Sequence, residues 1–234
     1  MSAIADTLIP YSVIRSERST ADIVVERDGT IVVRAPHTID DDAVREIVRS
    51  KLYWIYKTLA EWKELNRSRV VREYRNGESF LYLGRAYRLS LTNNQDDDLM
   101  LKGGRFHLRR ELLAADDPTS VRAAFRQYFT ERGELRINDR VRYFAPKVGV
   151  APGAVSIREL GHRWGACSSS GALSFHWKCM MAPATIVDYI IVHELSHLHE
   201  RDHTDAFWNE VDKVLPDYRD RRDWLRRNGA GLDV

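Results

Sequence analysis

The sequence predicts an α+β protein in two parts: an N-terminal antiparallel β-rich region with one long helix over residues 1–115, then a small helical core with a short antiparallel sheet over residues 116–234. Three observations lead there. Before residue 115, short runs rich in Val and Ile are bounded by Gly, Pro and Asp, the pattern of strands and turns. Between Val44 and Trp62, apolar residues recur at spacings of three and four, the period of a helix packed on one side. After Pro118 longer helical patterns take over, and the most apolar of them, Ile186 to Val192, runs directly into His193-Glu194-Leu195-Ser196-His197.

The whole chain sets few electrostatic constraints. It has 234 residues, 44% of them hydrophobic, enough for a packed core, and 30% charged with a net charge of +2. That slight basic balance does not argue for nucleic acid as a partner. No apolar run reaches membrane-spanning length, and Met1 to Thr7 lacks a basic stretch followed by an apolar one, so a soluble cytoplasmic protein is expected. Cys167 and Cys179 are too few and wrongly spaced for a disulfide framework or a ribbon-type metal site, and both read as small buried apolar residues.

Taken in order, Asp22 to Glu26 and Ile31 to Ala35 form a hairpin around Arg27-Asp28-Gly29-Thr30, and Pro36 closes it. Asp40-Asp41-Asp42 supplies an N-cap and an acidic first turn for the long helix, whose stripe is Val44, Ile47, Val48, Leu52, Ile55, Leu59 and Trp62. Tyr53, Trp54 and Tyr56 on the same helix read as packing residues rather than a base-stacking platform. Ser79 to Leu91 is strand-like with a turn at Gly84-Arg85, and Leu99 to Lys102 with Arg105 to Arg109 is a hairpin through Gly103-Gly104. Asn93 to Asp98 is a solvated loop.

Asp116-Asp117-Pro118 starts a helix and marks the domain boundary. Its apolar positions are Val121, Phe125, Tyr128, Phe129, Leu135, Val141 and Phe144, in two segments weakened at Gly133. Val155 to Leu160 is a strand, Ser169-Ser170-Gly171 a turn, and Ala172 to Trp177 an alternating strand that would offer an edge to an extended peptide. Pro183 opens the next helix. Near the C-terminus, Arg219, Arg221, Arg222, Arg226 and Arg227 are interrupted by Asp220 and Asp223 and read as a solvated face; a phosphate or nucleic-acid surface there is disfavoured.

On a continuous helix His193 and His197 lie one turn apart and present two imidazoles on one side, which suits a tetrahedral metal ion. Glu194, the carboxylate of this HExxH pattern, is then placed to take a proton from a metal-activated water. A catalytic zinc needs a third protein ligand. His203 fits if the helix ends between Glu200 and Asp202, with Thr204 or Asp202 capping a further helix from Asp205 to Leu215; Glu200, Asp205 and Glu210 compete for the role. The HExxHxxxxxH spacing is that of the metzincin motif, with Glu200 where that motif has Gly. His199 points off the ligand face.

Arg163-Trp164-Gly165-Ala166-Cys167, Leu173 to Lys178, Ala182-Pro183, Asp188 to Leu198, Asp202-His203-Thr204 and Phe207-Trp208 together resemble the YgjP/SprT-like zinc metallopeptidase family. Tyr11 to Arg18, Lys51 to Lys57 and Tyr82 to Arg85 extend the likeness over most of the chain. The sequence departs from the family wording at Ala166 (for Ser), His176 (for Asn) and Asp202-His203-Thr204 (for Asn-His-Ser), none of them at a ligand position except for the shared His203. The resemblance implies a zincin-like core with His193, His197 and His203 as metal ligands and Glu194 as the general base. It also implies one zinc ion, with another divalent transition metal such as nickel as the alternative. A peptide or protein is the expected substrate, a nucleoside triphosphate the second choice, since part of the family is associated with nucleotide hydrolysis. Arg163 and His176 are candidates for contact with the substrate or the developing oxyanion. A non-enzymatic module with a structural metal would instead show a fourth protein ligand.

Overall fold

A computed structural model describes residues 9–17, 20–26, 29–65, 72–93, 95–113, 118–161 and 163–234. Arg27-Asp28 of the first turn, Asn94, and Asp116-Asp117 lie outside these residues. The architecture is mixed α+β, as expected, and the chain divides into two compact units, residues 1–68 and 69–234.

In the first unit, β1 (Ser12–Ser16), β2 (Asp22–Val25) and β3 (Ile31–Pro36) form a sheet in the order β1-β3-β2. The β2–β3 hairpin is antiparallel as expected, whereas β1 joins β3 in parallel. The single long helix is in fact two, α1 (Asp41–Ser50) and α2 (Leu52–Leu65), separated at Lys51, whose φ of −110° and ψ of 6° leave the helical range. Asp40 caps α1 by accepting from the Ala43 N–H at 2.8 Å. Val33, Ala35, Val44, Val48 and Ile55 are fully buried together, and Trp62 Nε1–H donates to the Val25 carbonyl oxygen at 3.0 Å, pinning α2 to the hairpin. Tyr53, Trp54 and Tyr56 are not packing residues: they are 83%, 44% and 49% exposed, because they fall off the stripe that α1 and α2 turn inward.

The second unit begins with β4 (Ser79–Tyr82), β5 (Arg85–Thr92), β6 (Leu99–Lys102) and β7 (Arg105–Arg109), ordered β4-β5-β7-β6 with β5 and β7 parallel. Phe80, Leu89, Phe106 and Leu108 from this sheet share one core with Val121, Phe125, Phe129 and Ile137 of α3 (Pro118–Val148). This common core is why the division of the chain falls at 68/69, whereas the sequence pattern suggested 115/116. Helix α3 runs unbroken through Gly133, where a Cβ would stand 3.3 Å from Ile157 Cγ2, so this glycine serves close packing and not a hinge. Leu135, one of the apolar positions that mark this helix in the sequence, is 66% exposed.

A second small sheet, β8 (Val155–Arg158), β9 (Gly165–Cys167) and β10 (Leu173–His176), is ordered β8-β10-β9; it is mixed rather than purely antiparallel, since β8 and β10 are parallel. A 3-10 segment, Trp177–Met181, leads from it to α4 (Ala184–Ser196), followed by α5 (Asp205–Val214) and α6 (Tyr218–Asn228). The tip of the β4–β5 hairpin locks this approach. Leu83 and Gly84, both at positive φ, donate their N–H groups to the Met180 and Met181 carbonyls at 2.8 and 3.1 Å, and a Cβ on Gly84 would come within 2.8 Å of Pro183 Cα. Helix α4 buries nearly every side, and Arg140 of α3 holds its Asp188 in a bidentate pair at 2.7 and 2.8 Å. Among the described residues no helix is long and apolar enough to cross a membrane.

Candidate metal centre

Helix α4 carries His193 and His197 at its last turn, ending at Ser196 with His197 as C-cap. It therefore stops three or more residues before the Glu200–Asp202 break that the sequence suggested. The early end is stabilised locally: the Leu198 N–H bonds the Leu195 carbonyl, and the His199 and Glu200 N–H groups both bond that of Ser196. The chain then turns back, and Thr204 caps α5 by accepting from the Phe207 N–H. His203, in the loop just before that cap, is thereby brought beside the other two histidines.

One ligand atom from each of His193, His197 and His203 lies within 4.8 Å of the others. His193 Nε2 and His203 Nε2 are 3.0 Å apart. In a tetrahedral site with metal–nitrogen bonds of about 2.0–2.1 Å, neighbouring nitrogens stand roughly 3.4 Å apart, so the three imidazoles fit a single ion. His197 Nδ1–H donates to the Glu200 carbonyl at 3.0 Å, which fixes its tautomer and leaves Nε2 with its lone pair. The corresponding Nδ1 of His193 is buried and has no hydrogen-bonding partner among the described residues. Beneath all three rings lies Phe207, fully buried, with ring centroids 4.9, 4.5 and 4.7 Å from His193, His197 and His203. Burial lowers the pKa of each imidazole, and neighbouring imidazoles lower those of His193 and His203 further. All three are thus held neutral near pH 7, the form that binds a metal.

Glu194 is 6% exposed, and burial pushes its carboxyl up to about 8 while Arg163 pulls the other way. It accepts no hydrogen bond and makes no ion pair among the described residues. What holds it is close packing on the backbone of β9: a Cβ built on Gly165 would stand 2.5 Å from Glu194 Oε1 and 2.6 Å from its Cγ. Any side chain at 165 would displace the carboxylate. Gly165 is a residue whose part the sequence left unassigned, although Arg163-Trp164-Gly165-Ala166-Cys167 was there to be noticed.

The remaining expectations divide. Glu200, Asp205 and Glu210 do not join the histidine cluster; Glu200 contributes its backbone carbonyl, and Glu210 pairs with Lys213 at 2.6 Å. His199 Nε2–H donates to the Val148 carbonyl at 2.8 Å, outside the cluster. His176 is 2% exposed with both ring nitrogens engaged: Nδ1 accepts from the Lys178 N–H at 3.0 Å, and Nε2–H donates to Glu159 Oε1 at 2.6 Å. It has no group left for a substrate, and the structure corrects that assignment. Arg163 is exposed and within the electrostatic reach of Glu194. The edge strand is corrected too. β10 is flanked on both sides, so the free edge beside the centre belongs to β9, which packs on α4. Cys167 on β9 is half-buried, and Cys179 is buried with its thiol pushed up by desolvation.

Two histidines one helical turn apart, a third delivered by the following loop and a buried carboxylate between strand and helix define a candidate mononuclear metal centre of hydrolytic type. The chain belongs to the YgjP-like, metallopeptidase-domain family, whose match covers residues 19–228. That membership supports a metal-dependent hydrolase of the peptidase kind. Among solved structures, the metallopeptidase zymogen of Pyrococcus abyssi abylysin is similar, at 24% identity over 42% of this chain and 99% of its own, with a TM-score of 0.38. No curated protein matches the chain.

Proposed function

We propose that the protein is a zinc-dependent metallopeptidase that cleaves within extended peptides, with His193, His197 and His203 as the metal ligands and Glu194 as the general base. The observation that carries this is the convergence of three neutral imidazoles next to a carboxylate that spends no hydrogen bond on the fold. When bound, zinc supplies a Lewis acid that acidifies a water and polarises the scissile carbonyl; another divalent ion such as nickel has the same donor set available. Glu194 takes the proton from the attacking water, its own acidity raised by a dication nearby, and returns it to the leaving amine. The free edge of β9 accepts the substrate backbone as an added strand, which aligns the scissile bond with Glu194. Arg163, in the field of Glu194, stabilises the developing oxyanion. Two free cysteines agree with a reducing, cytoplasmic location.

Casein hydrolysis by the zinc-loaded protein, with nucleoside triphosphates as a second substrate and Glu194→Gln alongside, tests the reading. Casein is cleaved, and the substitution lowers the rate by about 10²–10⁴-fold, the range of a general base. Undiminished cleavage by the variant contradicts the mechanism, and hydrolysis of the nucleotide alone contradicts the substrate class.

A further inference from the structure

Helix α6 carries a run of arginines that mostly neutralise carboxylates nearby. Arg219 faces Asp212 at 3.6 Å, Arg221 faces Asp217 at 2.9 Å, and Arg227 faces Asp223 at 3.6 Å. Arg222 differs. Among the described residues it forms no ion pair; its guanidinium lies 5.0 Å over the ring of Trp208. Trp208 is stacked on Tyr218 at 5.2 Å and 12°, and on its way to the centre meets His203 at 5.7 Å and 27° and His193 at 5.8 Å. An aromatic column therefore places a guanidinium that forms no ion pair among the described residues at the rim of the three-histidine cluster.

A guanidinium held over an indole ring, with no ion pair of its own, has N–H groups free for a planar anion, and Arg suits a carboxylate in this role because two N–H groups match two oxygens. The local charge points the same way. Arg163 and Arg222 are both exposed and form no ion pair among the described residues; the acids facing them at the centre are the buried Glu194, in the field of Arg163, and the exposed Asp202 next to His203. Such a rim attracts negative charge.

We infer that Arg222, presented by Trp208, is the anchor for a carboxylate of the peptide substrate beside the three histidines, so that the enzyme favours peptides that are acidic near the cut. This rests on the peptidase reading, but binding tests it without turnover. Zinc-loaded Glu194→Gln protein is titrated with blocked pentapeptides that differ only in Glu or Gln, and with an all-Ala pentapeptide bearing a free or an amidated C-terminus; the first pair detects a side-chain carboxylate and the second a terminal one. In one pair the carboxylate form binds about tenfold tighter, the strength of a charge-assisted contact. Adding Arg222→Met removes that preference, Arg222→Lys keeps part of it, and Arg219→Met, which removes the same charge from the same helix, retains it. Equal binding within both pairs overturns the inference, as does a preference that survives Arg222→Met. Carboxylate preference in binding, with no peptide cleaved by the parent protein, leaves Arg222 assigned and overturns only the peptidase reading.

Discussion

The two units of the chain bury different kinds of residue. Residues 9–65 enclose a small core of Val, Ile and Ala with one tyrosine, Tyr11, and leave Tyr53, Trp54 and Tyr56 outside. Apart from the Tyr11 hydroxyl, the buried polar and charged side chains among the described residues, Ser174, His176, Glu194, Ser196 and Asp233, belong to residues 69–234. Most of these have partners: Ser196 bonds the Val192 carbonyl at 2.8 Å, Asp233 pairs with Lys178 and Arg122, and His176 with Glu159. Glu194 is the exception. Desolvating a carboxylate without a hydrogen bond is unfavourable by several kcal/mol unless it protonates or a cation compensates. The unit that tolerates this cost is the one with chemistry to perform, and the contrast locates function more firmly than any surface feature does.

The contrast can be broken at Gly165. Gly165→Ala drives a methyl into the space of the Glu194 carboxylate. A displacement of about 1 Å at a catalytic group lowers the rate by about 10²-fold. Zinc content, measured by emission spectrometry, stays at the parent value because no histidine moves. Loss of zinc together with activity would show that β9 supports the ligands and not the base.

The pH dependence of the metal-free protein sharpens the same point. The three histidines titrate below 6.5 in the folded state, so the unfolded chain takes up protons first as pH falls. Their contribution to stability is complete above pH 6.5 and is lost as pH drops through the lower folded values. Glu194 has the opposite sign: its folded value, about 8 against 4.5, means that stability present below pH 4.5 is lost as pH rises toward 8. Thermal melts of metal-free protein from pH 5 to 9 therefore show a fall at each end, and Glu194→Gln flattens the alkaline one only. An unchanged alkaline limb in the variant would remove Glu194 from the account.

In the first unit the expected effects are smaller. Tyr53→Ser alters an 83% exposed side chain and shifts unfolding free energy by less than about 0.5 kcal/mol in a denaturant titration. A much larger loss would mean that this face packs.

What the sequence made legible was local. His193, Glu194 and His197 are linked by helix geometry alone, and Thr204 caps α5 as its residue type suggests, so the grouping of the three histidines followed from spacing. Tyr53, Trp54 and Tyr56 were equally readable, because they lie off the Val44–Val48–Ile55 stripe; weight given to their aromaticity misplaced them. The short strand Gly165–Cys167 carries no periodic signal in three residues, and it exists because β10 pairs with it across the sheet. Which strand is the edge, and why 165 is glycine, depend on contacts with Glu194 almost thirty residues away in the chain. The break at Lys51 and the early end of α4 are likewise set by packing and backbone bonding rather than by a Gly or Pro.

The central claim is that one zinc ion sits on three histidines with a position left open and Glu194 unligated. X-ray absorption on the zinc-loaded full chain tests it directly. The expected spectrum has one zinc per chain with three imidazole nitrogens and one oxygen at about 2.0–2.1 Å, falling to two imidazoles in His203→Ala. A sulfur or a fourth protein ligand in the sphere, or three imidazoles persisting in His203→Ala, would contradict it.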